Sequence, residues 1–94
     1  MADKTVTEIL NERQSTHGTF EESATTVQRI KVIMRSTPNW DKLSNAQREA
    51  LEMIVHKIGR ILHGDPNHLD SWQDIQGYTK LGEPKSCPPT PVTK

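Results

Sequence analysis

Apolar side chains are scarce in this chain. Of its 94 residues 32% are hydrophobic, against the ~45–50% usual for globular domains. A chain this short buries only roughly two-thirds of its unfolded surface. One small domain is therefore the limit, and self-association is expected to add to its stability. The single cysteine, Cys87, excludes an intramolecular disulfide. No run of about 18 apolar residues is present, which excludes a membrane-spanning helix. The N-terminal stretch Met1-Ala2-Asp3-Lys4-Thr5-Val6 lacks the apolar centre of a signal peptide, so a cytoplasmic setting is expected. Twelve basic and twelve acidic residues cancel, with a pI near 6.9. That balance excludes the broad basic field of a non-specific nucleic-acid binder and leaves room only for a local patch. No P-loop, G-x-G-x-x-G, C-x-x-C or Ser-His-Asp arrangement is present, nor any internal repeat or strand signal.

What is present is helical periodicity. The spacing predicts an all-α, four-helix, bundle-like domain over residues 1–82, with helices over about 5–15, 19–35, 44–63 and 70–81. Thr5/Glu8, Thr19/Glu22 and Ser44/Gln47 each fit a capping box, in which two side chains satisfy each other's backbone N–H. Val6, Ile9 and Leu10 share a face of the first helix. Phe20, Ala24, Val27 and Met34, widened by Ile30 and Ile33, form the stripe of the second. Ala50, Leu51, Ile54, Val55, Ile58, Ile61 and Leu62 make the third the longest and most buried. Trp72, Ile75, Tyr78 and Leu81 line the fourth, where Gly77 is expected to mark close packing against another backbone. Trp40 and Leu43 are expected to fold back as a lid. The tail, 83–94, holds Pro84, Pro88, Pro89 and Pro91 and reads as disordered or polyproline-like.

The third helix also carries a polar line. Glu49, Glu52, His56, Arg60 and His63 recur at three- and four-residue steps and share one flank. Glu49 and Glu52 have a spacing at which two carboxylates reach one Mg²⁺, an ion that takes hard oxygen ligands. A solvated helix face explains the same pair more simply. Lys57 and Arg60, three apart, repel each other unless an anion or carboxylates compensate. Phosphate binding is one solution, and a clamp onto Asp70 or Asp74 of the fourth helix is the other. Asp70 is explained by its place at a helix N-terminus. Asp74 is not, because aspartate is a poor interior helix residue. His63, His68 and Asp70 surround a turn without matching any standard zinc spacing. His17 reads as a helix-terminal histidine.

Three stretches carry a resemblance. They are Glu12-Arg13 with His17-Gly18-Thr19-Phe20, then Glu49 to Ile54 running into His56-Lys57-Ile58-Gly59-Arg60-Ile61, and finally His68 to Tyr78. Together, over roughly residues 8–82, they resemble a family of small uncharacterised phage and prophage proteins. That family is distantly similar to the MazG-like all-α nucleoside triphosphate pyrophosphohydrolases, whose helical carboxylates hold magnesium against nucleotide phosphates. The resemblance implies that Asp74, with Asp70 and Glu52, would hold Mg²⁺. Lys57 and Arg60 would face phosphates, supported by His17, Glu49, His56 and Tyr78. It also implies a homodimer. The chain departs from the enzymes where their third clustered carboxylate would follow Glu21-Glu22, and where Ser71 stands three before Asp74. Such a fold would bind a nucleotide without hydrolysing it.

Two functions are therefore carried forward. One is a phage-type nucleotide-phosphate handler with a Mg²⁺ site, intact or degenerate. The other is a noncatalytic accessory protein that binds a host protein or sequesters a nucleotide signal. A helix-turn-helix is disfavoured. The turn over 64–69 is long and contains proline, and the fourth helix has no basic residue before Lys80.

Overall fold

Hydroxyl side chains set where the helices begin. In the computed structural model, which describes residues 5–84, Thr5 accepts from the Glu8 N–H, Thr19 from the Glu22 N–H and Ser44 from the Gln47 N–H. These caps start α1 (Val6–His17), α2 (Phe20–Arg35) and α3 (Asn45–His63). Only at Ser44 does the reciprocal half of the box form, with Gln47 Oε1 accepting from the Ser44 N–H at 3.1 Å. At the two threonines the cap is one-sided. A fourth helix, α4 (Leu69–Gly82), follows the Asp65-Pro66 turn. The predicted bounds hold to within two residues, and the described residues contain no strand. Residues 85–94, with Cys87 and most of the predicted tail, lie outside the described part.

The four helices are organised around α3. It runs antiparallel to α2 on one flank and to α4 on the other, while α1 reaches it near one end. Gly59 makes the α2 contact close: a Cβ there would come within 2.6 Å of Ser23 Oγ and 2.7 Å of Val27 Cγ2. On the other flank Gly82 lets α4 approach Ala50. α1 docks by its C-terminal elbow. There Gly18, at φ +78°, and Gly64 pass backbone to backbone against His63, Thr16 and His17, and the Asp65 N–H donates to Thr16 O at 2.8 Å. Trp40 and Leu43 do fold back. They are half-buried around a single 3₁₀ turn (Trp40–Lys42), and Arg48 Nε donates to Trp40 O at 3.2 Å.

The core is smaller than the stripes predict. Val27, Ala50 and Val55 are the buried apolar side chains among the described residues, joined by Lys31, Lys57 and Ser71. Val6, Ile9 and Leu10 are exposed, because α1 meets α3 only near its elbow. Phe20 is 87% exposed, because α2 turns its Ser23, Val27 and Lys31 side to α3. Gly77 was expected at a close contact and has none: a Cβ there would meet nothing within 4 Å. The close helical glycine is Gly59. No helix among the described residues is long and apolar enough to cross a membrane.

Candidate functional site

The charged side chains of α3 separate onto different sides of the helix. Lys57, buried, reaches α4, and its Nζ lies 3.1 Å from Asp74 Oδ2. Of the two solutions for the Lys57/Arg60 pair, Lys57 takes the interhelical clamp, and its partner is Asp74 rather than Asp70. Asp70 stands exposed at the start of α4, with Oδ2 3.9 Å from His68 Nε2.

Glu52 faces α2. Its Oε1 lies 3.4 Å from Lys31 Nζ and 3.3 Å from Arg35 Nη2, so one carboxylate oxygen serves two cations. Lys31 also donates to His56 Nε2 at 3.1 Å. A histidine that accepts at Nε2 is neutral and carries its proton on Nδ1. Desolvation, followed by the positive charges of Lys31 and Arg60, holds His56 below its ordinary pKa of 6.5. Further along, His63 Nε2 and Thr26 Oγ1 share a 2.6 Å hydrogen bond, and the His17 ring meets His68 edge-on at 5.6 Å. Glu49 is exposed, and half-buried Tyr78 borders an apolar hollow with Leu43 and Gln47.

Glu52, Asp70 and Asp74 are therefore not brought together. Two of the three are already held by cations, and no group of three His, Cys, Asp or Glu side chains among the described residues could hold a metal ion. Within one chain this set does not fit Mg²⁺.

Arg60 is different. It is half-buried and has no carboxylate within ion-pair distance among the described residues. With His56 it borders a groove of about 680 Å³ between α1, α2 and α3, walled by Leu10, Gln14, His17, Phe20, Glu21 and Ala24. The start of α2 opens onto the same groove. The Glu22 N–H is taken by Thr19 and the Ser23 N–H by the Thr19 carbonyl. The N–H groups of Phe20 and Glu21 have no intrahelical acceptor and carry the positive end of the helix dipole.

Over residues 2–85 the sequence matches a family described as a domain of unknown function (DUF6378). The chain belongs to that family. No curated protein and no solved structure matches it. Among the described residues, this DUF6378 chain thus sets the guanidinium of Arg60 in a groove without an ion-pair partner, between two neutralised charge clusters. Sequence reading singled out Arg60 but missed Lys31 and the groove. Lys31 did leave a signal, since it stands four residues after Val27 and three before Met34, inside an otherwise apolar stripe.

Proposed function

We propose that the chain is a phage-type, MazG-like module that holds a nucleotide by its phosphates in the groove between α1, α2 and α3. The observation that carries this is Arg60. Lys31, Arg35 and Lys57 each face a carboxylate, whereas Arg60 faces a concave space that Glu21 also lines but has no ion-pair partner among the described residues. A guanidinium presents a planar fork that matches two phosphate oxygens at once. The free N–H groups at the start of α2 add donors and a favourable dipole to the same space. His56 Nδ1–H supplies a further donor, and Leu10 and Phe20 give an apolar surface for a base. Lys57 and Glu52 serve the fold in this reading. Binding therefore proceeds without a protein-held Mg²⁺, and the nucleotide is bound rather than hydrolysed.

The test is an NMR titration of the labelled chain with nucleoside triphosphates, with and without Mg²⁺, followed by product analysis of the same tubes. Saturable shifts at Arg60, His56, Phe20 and Glu21 are expected, with the triphosphate intact, and Arg60→Gln abolishes them. Absence of shifts at millimolar ligand would end the reading. The second reading, an accessory protein that binds a host protein, rests on the exposed Leu10 and Phe20 that border the groove and on exposed Val6 of the same helix as Leu10. It predicts that Phe20→Ser abolishes capture of the host protein while Arg60→Gln does not.

A further inference from the structure

A helical domain normally buries each apolar face against a second layer, and α3 leaves one sector without it. It meets α2 along Glu52, Gly59 and His63. It meets α4 along Ala50 and Lys57. His56 and Arg60 turn to the groove beneath α1. At 100° per residue the remaining sector carries Leu51, Ile58 and Leu62. Leu62 is 62% exposed, Leu51 39%, and Ile58 is half-buried. Leu51 and Ile54 border a hollow of about 310 Å³ shared with Leu43, Thr79 and Gly82. Trp72, exposed and two turns before Thr79 on α4, continues the same surface.

We propose that this face is covered by a second copy of the chain, α3 packing antiparallel on its counterpart across a two-fold axis. Three features select a second copy. The stripe pairs with its own reverse: antiparallel packing sets Leu51 opposite the other copy's Leu62 and keeps Ile54 and Ile58 near the axis. Its ends carry complementary charges without ion-pair partners of their own. Arg48, three residues before Leu51, donates to the Trp40 and Asp41 carbonyls. Asp65, three residues after Leu62, accepts only from the Asn67 N–H. Neither has an oppositely charged side chain within ion-pair distance among the described residues, and the two-fold places each opposite the other. Finally, the fully buried apolar core, Val27, Ala50 and Val55, is small, so covering the stripe adds apolar burial that the single chain lacks. A two-fold contact uses the same patch on both sides. It lies away from the groove and is independent of nucleotide binding.

Light scattering on the full chain at about 100 µM, where a micromolar dimer is largely formed, should give twice the 10.7 kDa of one chain. Leu62→Lys should return the single-chain mass with the helical circular dichroism retained. Arg48→Asp should weaken the dimer at least about tenfold, and adding Asp65→Arg should restore it. Phe20→Ser, on the opposite side, should leave it unchanged. A chain carrying Leu51→Cys, Leu62→Cys and Cys87→Ser should form a covalent dimer under an added oxidant, which decides the matter even where Leu62→Lys fails to fold. A single-chain mass for the unaltered protein overturns the proposal. So does a dimer that survives Leu62→Lys, a double charge reversal that restores nothing, or the absence of a cross-link.

Discussion

Each flank of α3 buries one lysine, Lys31 of α2 on one side and its own Lys57 on the other, and the two are neutralised in unlike ways. Toward α2, Lys31 sits in a network: Glu52, 22% exposed, holds both Lys31 and Arg35, and His56 accepts a further bond from Lys31. Toward α4, Lys57 has one partner, Asp74, whose carboxylate is 47% exposed. The comparison teaches that burial of the cation is not what ranks the two interfaces. What ranks them is how far water can replace the anion. Around Asp74 it can. Around Glu52 three other groups occupy the space.

The largest expected effect breaks the network side. Glu52→Gln keeps the shape and removes the charge, leaving Lys31 buried beside Arg35. A loss of about 3 kcal/mol in chemical denaturation is expected. Next comes Gly59→Ala, which drives a methyl into Ser23 and Val27 and should cost about 2 kcal/mol. Asp74→Asn should cost about 1 kcal/mol, since solvent reaches the site. A result equal to that for Glu52→Gln would erase the distinction between the interfaces. Gly77→Ala should instead stabilise by up to about 1 kcal/mol, because its position is helical, exposed and open. The smallest effect is the pH dependence. His56 titrates below 6.5 in the fold, so above that pH it is neutral in both states and adds no slope. As pH falls through 6.5 the unfolded chain takes the proton first, and stability is lost. Between about pH 7.5 and about pH 5.5, His56→Gln should flatten part of the fall in melting temperature seen in the parent.

The helices were legible because their signals are local. Thr5, Thr19 and Ser44 each act within one turn, and Gly18 and Gly64 end their helices where the sequence says they should. The Lys57 clamp was legible as one of two solutions, because cations three apart require something negative and Asp74 was an otherwise unexplained aspartate. The two helical glycines were not legible. Gly59 and Gly77 read alike, and which one meets a neighbour depends on where α2 lands. The same holds for Lys31 and Arg60. One cation lies in an apolar stripe and is buried. The other lies on a polar line and faces a groove, and only the crossing of the helices assigns those places. Phe20 fails for the opposite reason. It falls on the right stripe, but at the first position of its helix, ahead of the line along which α2 meets α3.

The crossing of Gly18 over Gly64 has a mechanical consequence. A helix of 12 residues is about 18 Å long, and α1 is fastened at one end of that length. It is a lever with its fulcrum at the elbow. A tilt of about 10° there carries the Val6 end through about 3 Å, while the bonds from Lys31 to Glu52 and from Lys57 to Asp74 stay untouched. The width of the groove beneath it thus follows the angle at that elbow, while the ion pairs that join α3 to α2 and α4 lie elsewhere.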